Sequence, residues 1–425
     1  MVTSKSEFSN KPNIVGYVKH LLENYCTIHF FYNALFSSNY LILIAICLLL
    51  GEFVVNIFII HYVKYTEIDW IAYMQEVEGV INGTYDYTYL KGDTGPLVYP
   101  AGFVYIFTVL YYITNCGKNI RLAQYIFLGF YIMFLVFVFR IYVKLKDLPP
   151  YILILMCGIS YRIHSIFVLR LFNDTIAMLL FYISVNFFID SRWNLASVFY
   201  SLAVSVKMNI LLFAPVILLA YLTSLGLKHT VKQLAICALV QIFLGLPFLV
   251  SNPVAYIKGA FNLGRVFFYE WTVNWRFLPE NIFLNFYFHI ALFTLHIMLL
   301  AIFFSPAKNY LQNYAYFNKL SKTKKNQTAS KKTQMFLLPL FTANLIGIIC
   351  SRSLHYQFYV WYYHSLPFLL WSTQYPTIIR ILILVLIEIC WNIFPSTLLS
   401  SMTLLLCHIF LLLGLVFHKP IIKME

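Results

Sequence analysis

The sequence predicts an all-α protein that crosses a membrane many times. Hydrophobic residues make up 61% of the 425-residue chain and charged residues only 11%, whereas soluble domains carry about 25% charged residues. Apolar runs near the roughly 20 residues that a membrane-spanning helix needs recur along the whole chain. Such a chain cannot cover its apolar surface with polar groups, so we expect about twelve transmembrane helices in one membrane domain over residues 40–417.

The apolar runs divide the chain into its predicted segments. The first run covers 40–60, and a long polar stretch follows it. Further runs lie near 98–114, 120–142, 150–168, 172–190, 194–206, 208–223, 233–250, 282–304, 334–351, 355–373, 376–395 and 398–417. The run at 98–114 contains Pro100 and Gly102, and if it crossed fully, Lys144 and Lys146 would fall in the lumen. The Lys/Arg rule therefore favours a re-entrant or interfacial segment in a structured first loop over 61–119.

The charge pattern predicts how the chain is oriented. Its formal net charge is +14, and Lys and Arg lie mostly between the apolar runs, as in cytoplasmic loops of membrane proteins. The segment 305–333 has seven lysines and no acid, so we expect a disordered cytosolic loop near anionic lipid headgroups. The N-terminal segment 1–39 and the tail 418–425 are predicted to share that side, with the loop 61–119 opposite. No recognition motif accompanies the charge, so nucleic-acid binding is not expected.

Two acids in the first loop are the main candidates for catalysis. Glu67 and Asp69 are two residues apart, which places them on one face of an extended segment. A carboxylate at a membrane surface beside Trp70 is partly desolvated, which raises its pKa and its basicity. That property suits a general base that removes a proton from a sugar hydroxyl. The alternative is a pair of solvated loop acids without a catalytic role.

Polar residues at the ends of later apolar runs are further candidates. Arg170 precedes Asn173 and Asp174, and these side chains either face a site or, as Arg170 and Asp174 are four apart, pair on a helix. Lys207 lies in an apolar stretch, where a charge costs roughly 2.5–3.5 kcal/mol on insertion scales. It must therefore reach the membrane surface, find a partner, or bind a ligand such as a phosphate.

Aromatic and cationic residues mark two more segments. Trp271, Trp275 and Arg276 lie in a polar loop, where they form either an interfacial aromatic belt or a surface for sugar rings and phosphate. Arg352 and His355 are three residues apart, which predicts one helical face, and they either contact phosphate or serve the structure. The sequence has no nucleotide-binding loop and no Cys/His cluster with zinc spacing, which disfavours a nucleotide-fuelled pump and a metalloprotease. No cofactor is expected.

Several long stretches resemble one enzyme family, the dolichyl-phosphate-mannose-dependent alpha-1,3-mannosyltransferases of asparagine-linked glycosylation. The similar stretches are 65–74, 76–87, 92–102, 161–174, 201–209 and 351–370. The resemblance implies a C-type glycosyltransferase fold in the endoplasmic-reticulum membrane. It implies inverting transfer of mannose from dolichyl-phosphate-mannose to the lipid-linked oligosaccharide Man5GlcNAc2-PP-dolichol at a lumenal active site, without a metal. Membrane lipids are the remaining partners expected.

The resemblance also assigns an essential acid to the first lumenal loop. Many relatives have Asp-x-Asp there, whereas this chain has Glu-Ile-Asp, which leaves the assignment open between Glu67 and Asp69. Our hypothesis takes Asp69 as the first choice for the base and Glu67 as the second. The residues expected to bind the donor phosphate are Arg352, His355, Lys207 and Arg276. The residues expected to bind substrate are Trp70, Arg170, Asn173, Asp174, Trp271 and Trp275.

Two other classes of function fit a polytopic membrane chain. A lipid or sugar transporter, or a flippase, would show charges spread through the spans and repeat symmetry. A non-catalytic chaperone subunit is the second alternative. The acids of this chain crowd into one external loop, which favours the enzyme.

The predicted orientation can be tested on two glycosylation sequons. Asn82-Gly83-Thr84 lies in the predicted lumenal loop and Asn326-Gln327-Thr328 in the predicted cytosolic segment. We expect an endoglycosidase to increase the gel mobility of the wild type and of Asn326→Gln, but not of Asn82→Gln. A glycan on Asn326 would contradict the orientation.

Overall fold

The computed structural model describes residues 27–146, 148–159, 161–262, 264–265, 268–320 and 327–416. Within these residues the helices are Ile28–Phe36, Leu41–Tyr62, Trp70–Ile81, Ala101–Ile113, Ile120–Leu145, Tyr151–Gly158, Tyr161–His164, Asp174–Ile189, Trp193–Val206, Ala214–Ser251, Pro253–Ala260, Glu280–Phe283, Phe286–Leu320, Gln327–Ile349, Leu366–Trp371, Thr377–Asn392 and Leu398–Val416. Short 3-10 turns cover Ser38–Tyr40, Met208–Phe213, Tyr269–Trp271, Tyr356–Trp361 and Tyr363–Ser365, and a π-helical turn covers Ser165–Leu169. The tail 418–425, most of 1–39 and Asn326 lie outside the described residues.

Several helices begin where the sequence supplies a capping side chain. The Asn119 side chain accepts a hydrogen bond from the Leu122 backbone N–H, and Asn252 does the same for Ala255. Pro253 occupies the first position of its helix, where a missing N–H costs nothing. These local signals fix both helix starts independently of packing.

The described chain is an all-α polytopic membrane protein. Six helical segments are long and apolar enough to cross a membrane, and the bent pair Tyr151–Gly158 and Tyr161–Leu169 would add a seventh. The six are Ser38–Tyr62, Ile120–Leu145, Met208–Ser251, Phe286–Lys319, Ala329–Ile349 and Leu398–Val416. This confirms the predicted class of fold.

The predicted count of about twelve spans is not confirmed. The runs at 172–190 and 194–206, predicted as spans, form helices of 16 and 14 residues, and the run at 98–114, predicted not to cross, forms one of 13. At 1.5 Å per residue they are roughly 20–24 Å long, less than the roughly 30 Å of a hydrocarbon core. The run at 355–373 forms 3-10 turns and one six-residue helix.

The longest apolar segment, Met208–Ser251, folds back on itself at Gly226. The Ser197 hydroxyl lies 2.6 Å from the Tyr221 hydroxyl and 2.8 Å from Oε1 of Gln233. In a straight helix those two residues would be about 18 Å apart. Gly226 has φ 73° and ψ 171°, a conformation essentially restricted to glycine. The two apolar runs predicted here therefore pack as separate helices.

The segment 305–333 differs from the predicted disordered loop. The helices Phe286–Leu320 and Gln327–Ile349 cover most of it. Leu311 and Tyr314 are fully buried and, three residues apart, lie on one helical face that packs into the core. The expectation of disorder is therefore wrong for the described part. It rested on the number of lysines and did not consider the apolar stripe between them.

The first loop is held against the membrane-embedded helices at two points. The Thr66 backbone N–H donates to the Leu169 carbonyl at 3.1 Å. The Trp70 ring, which is fully buried, packs against Phe127 of the helix Ile120–Leu145 with centroids 6.2 Å apart, and its indole N–H donates to the Gly117 carbonyl within the loop at 2.9 Å. These contacts fix the segment that carries the two candidate acids at the end of the bent helix pair.

The rest of this loop folds around a hairpin and a short helix. The strands Lys91–Gly92 and Gly95–Pro96 pair antiparallel on either side of a tight turn. The helix Ala101–Ile113 approaches its neighbour so closely that a Cβ on Gly102 would lie 2.0 Å from the Ser205 hydroxyl oxygen. The loop is therefore packed onto the membrane domain.

Gly226→Ala is predicted to destabilise the protein by about 1–3 kcal/mol, since alanine disfavours this backbone conformation. Gly51→Ala is the matched control, because Gly51 lies inside a helix with no atom within 4 Å of an added Cβ. That change should be neutral or stabilise by up to about 1 kcal/mol. Thermal unfolding in detergent measures both, and equal midpoints would contradict the role of Gly226.

Candidate active site

A buried ion pair lies where the helix Trp193–Val206 ends and the helix Asp174–Ile189 begins. The ammonium of Lys207 lies 2.6 Å from Oδ2 of Asp174 and 3.1 Å from Oδ1 of Asn173. The indole N–H of Trp361 donates to the other oxygen of Asp174 at 2.5 Å. Asp174 and Asn173 have no exposed surface. The pair stabilises the lysine charge at a fixed position, as a buried charge requires.

The alternative pairing of Arg170 with Asp174 on a helix is wrong. Leu171 has a positive φ of 52°, and the helix begins only at Asp174. The four-residue spacing therefore does not bring the two charges together. The guanidinium of Arg170 donates instead to the Ser165 hydroxyl.

Asp69 lies within electrostatic reach of this ion pair. Its Oδ2 accepts a hydrogen bond from the Tyr73 hydroxyl at 3.3 Å, and that hydroxyl lies 3.4 Å from Oδ1 of Asn173. Burial raises the pKa of Asp69, while the Lys207 charge and the Tyr73 hydrogen bond oppose this, and the pKa stays above its usual value. A carboxylate of raised basicity beside a fixed cation suits a general base.

Glu67 has a different environment. Its Oε1 accepts the backbone N–H of Ile71 at 3.0 Å, and its Oε2 accepts the Tyr65 hydroxyl. The side chain thereby satisfies one of the free N–H groups at the start of the Trp70–Ile81 helix. These contacts leave Asp69 as the acid that faces the lysine.

Arg265 is a site residue that sequence reasoning missed. Its side chain is exposed, and its charge lowers the pKa of Asp69, after the larger effects of burial, Lys207 and Tyr73. Its charge also lowers the pKa of His355, after burial. Arg265 therefore lies within reach of both groups. Its place in the cationic and aromatic segment 263–277, which also holds Arg276, was the sequence signal for it.

His355 lies in the site as an uncharged ring. Burial, then the charges of Arg265 and Lys207, lower its pKa to about 4. The ring stacks on Phe358 with centroids 5.3 Å apart, and the Lys207 ammonium lies 5.4 Å from the Phe358 ring centroid. At neutral pH His355 can donate a hydrogen bond to a phosphate, but it adds no positive charge.

Arg352 and His355 do not share a helical face. The residues between them are not helical, and His355 is extended with φ −89° and ψ 156°. The three-residue spacing therefore does not place the two side chains on one face of a helix. Arg352 is partly buried in the same connecting segment.

Two tryptophans that were predicted to bind substrate are buried in the protein core. Trp70 is fully buried against Phe107 and bonded to a carbonyl, as described above. The indole N–H of Trp275 donates to the Ser351 carbonyl at 2.8 Å, and the ring is 8% exposed. Neither ring offers a face to a sugar in this structure.

The remaining predicted residues lie on a polar loop. Arg276 donates to the Tyr269 carbonyl at 2.9 Å and stacks over that ring at 4.2 Å, so it stabilises the loop. Trp271 is 44% exposed and stacks on Phe394. Of the two, Trp271 has the surface available to contact a ligand.

Comparison with known proteins assigns the chain to a family. The sequence profile of the family described as ALG3 protein matches residues 46–401, which include Asp69, Asp174, Lys207 and Arg265. The chain belongs to the ALG3 family.

The relatives of this ALG3 family member are similar over nearly their whole length. A Homo sapiens protein named Dol-P-Man:Man(5)GlcNAc(2)-PP-Dol alpha-1,3-mannosyltransferase is 52% identical over 89% of this chain and 87% of its own. A Drosophila melanogaster protein named dolichyl-P-Man:Man5GlcNAc2-PP-dolichol alpha-1,3-mannosyltransferase Alg3 is 46% identical over 93% and 91%. An Arabidopsis thaliana relative with the same enzyme name as the human protein is 44% identical over 87% of each chain. No solved structure matches. The alternative of a transporter or flippase has no support among these relatives.

The ion pair makes a stability prediction. Asp174→Ala should cost about 3–5 kcal/mol, because it leaves the Lys207 charge buried without a partner. Asp190→Ala is the control, since Asp190 pairs with Arg140 at 2.6 Å and with Lys144 while its side chain is 29% exposed. That change should cost only about 0–1 kcal/mol. Similar losses of unfolding free energy in detergent would contradict the special role of Asp174.

Proposed function

We propose that this chain transfers mannose in alpha-1,3 linkage from dolichyl-phosphate-mannose to Man5GlcNAc2-PP-dolichol, with Asp69 as general base. The printed names of its relatives supply the donor and the acceptor. The observation that carries the site assignment is Asp69, a carboxyl of raised pKa beside the buried Lys207. Asp174 and Asn173 hold that lysine in place.

The proposed reaction is one displacement with inversion. Asp69 accepts the proton of the acceptor hydroxyl, whose oxygen forms the new bond to the anomeric carbon of mannose. The bond from that carbon to the donor phosphate oxygen breaks, and dolichyl phosphate leaves with the electron pair. Inversion requires the base on the face opposite the leaving group, as in the base-activated half of inverting glycoside hydrolysis. A phosphate is a good leaving group, so no general acid is needed.

The leaving phosphate gains negative charge, which nearby cations must stabilise. We assign this role first to Lys207 and Arg352, with Arg265 added on the basis of its electrostatic reach to Asp69. His355 contributes a hydrogen bond rather than a charge. Arg276 is the weakest candidate, because it is bonded to its own loop.

An apolar cavity gives a place for the polyprenyl tail of the donor. Its volume is about 420 Å³, and its lining includes Val216, Leu219, Leu338 and Ile346. Two of its walls are the helical segment that follows Lys207 and the helix that ends shortly before Arg352. A tail in this cavity would therefore lead to the proposed phosphate site.

We further propose a C-type glycosyltransferase fold with about twelve crossings, in the endoplasmic-reticulum membrane, with the site lumenal. The helices Asp174–Ile189 and Trp193–Val206 run as a pair, and the Lys207–Asp174 contact lies at one end of it. At the other end Ser191 accepts a hydrogen bond from Lys332 of the lysine-rich segment. Lysine-rich segments favour the cytosol, so this arrangement supports a site on the opposite side.

The role of Asp69 can be tested by Asp69→Asn in the purified protein. The amide cannot accept the proton, so radiolabelled mannose transfer to the lipid-linked acceptor should fall about 10²–10⁴-fold. Since the active form of the wild type is deprotonated, its rate should also fall as the pH drops through the raised pKa of Asp69. Glu67→Gln is the matched control and should retain most activity. Near-normal turnover of the folded Asp69→Asn protein would show that Asp69 is not the general base.

Arg352→Ala tests the phosphate assignment. Loss of the guanidinium should raise the KM for dolichyl-phosphate-mannose more than the KM for the acceptor, because only the donor phosphate is proposed to contact it. Arg352→Lys, which keeps the charge, should recover part of the loss. A larger effect on the acceptor KM would reassign this residue.

A further inference from the structure

Glu76 is a buried carboxyl group that the proposed mechanism does not use. It is 3% exposed, and its Oε2 has no hydrogen-bond partner among the described residues. It lies seven residues after Asp69, so the two side chains share a face of the loop helix Trp70–Ile81, about 10 Å apart along the axis. Tyr73, which bonds Asp69, lies between them on the same face.

Glu76 is protonated at neutral pH. Burial, and then the negative charge of Asp69, raise the pKa of Glu76 to about 8, against the opposing charge of Arg265. The other titratable groups that face it are Tyr87 and Tyr99, whose own pKa values are raised and which are neutral at this pH. A protonated carboxyl presents one donor and one acceptor, the same pair that a sugar hydroxyl presents.

Glu76 lies further from Lys207 than Asp69 does, while Arg265 reaches both acids. Lys207 affects the pKa of Asp69 but is not among the groups that shift the pKa of Glu76, whereas Arg265 affects both. Its neighbour Tyr87 packs against Tyr256 of the extramembrane helix Pro253–Ala260. The side chain therefore lies on the part of the loop helix that faces Tyr87, beyond Asp69.

We propose that Glu76 binds the acceptor oligosaccharide, its carboxyl group exchanging hydrogen bonds with a hydroxyl of a sugar adjacent to the one that Asp69 activates. The inference rests on the proposed function and deepens it. A buried polar atom without a partner destabilises the free protein, and a bound hydroxyl would supply the missing hydrogen bond. The separation from Asp69 places this contact on a neighbouring sugar rather than on the reacting hydroxyl.

Two substitutions of Glu76 in the purified full-length protein test this. Glu76→Gln keeps a donor and an acceptor, so at pH 7 its KM for Man5GlcNAc2-PP-dolichol should stay near the wild-type value. Glu76→Met keeps the volume but not the hydrogen bonds, and should raise that KM about 3–10-fold with the donor KM unchanged. Glu78→Gln, on an exposed residue bonded to Tyr111, is the matched control and should change neither KM.

The pH dependence separates binding from a structural role. In the wild type the acceptor KM should rise as the pH passes about 8, because ionised Glu76 loses its donor. Glu76→Gln should lack that rise. An unchanged rise in Glu76→Gln, or equal changes of both KM values in Glu76→Met, would overturn the proposal. If Glu76→Met does not fold, the Glu76→Gln profile decides alone.

These measurements use enzyme with Asp69 intact, so they are separate from the test of the base. Normal turnover of Asp69→Asn would remove the proposed base while leaving an acceptor KM effect of Glu76 in place. Loss of turnover in Asp69→Asn together with a flat response at position 76 would instead keep the base and reject the acceptor contact.

Discussion

The organisation of the site depends on one ion pair in apolar surroundings, between Lys207 and Asp174. A lysine here is tolerated only because a carboxylate lies 2.6 Å away, and that carboxylate is in turn bonded by Trp361. The contact joins the end of one helix to the start of another and to the segment that follows Ile349. It therefore links distant parts of the chain at the point where the acid of the first loop arrives.

The acids of the first loop differ in their surroundings rather than in their chemistry. Glu67 is bonded at a helix start, Asp69 is basic beside a cation, and Glu76 is protonated through burial. Burial is the main reason why the pKa values of Asp69 and Glu76 are raised, and that of Glu76 rises to about 8. The charge of Lys207 opposes the rise at Asp69, whereas the negative charge of Asp69 adds to it at Glu76.

Sequence reasoning predicted the fold class and the loop that carries the acids, because hydrophobic runs and the crowding of acids are local signals. It did not predict that Lys207 pairs with Asp174 or that Arg265 approaches Asp69, because those contacts join residues far apart in sequence. It assumed helical spacing for Arg352 and His355, where the chain is extended. The sequence predicted that Trp70 and Trp275 bind substrate. Both side chains are buried, as their large apolar area favours.

The short helix pair below the site, Asp174–Ile189 and Trp193–Val206, has a consequence for how substrates arrive. If the Lys332 end of the pair lies at one headgroup layer, its other end lies several ångströms short of the opposite layer. The reaction would then take place in a recess sunk beneath the membrane surface. A carrier lipid would present its phosphate there without being pulled outward, and the hydrophilic glycan would have to reach inward to meet it.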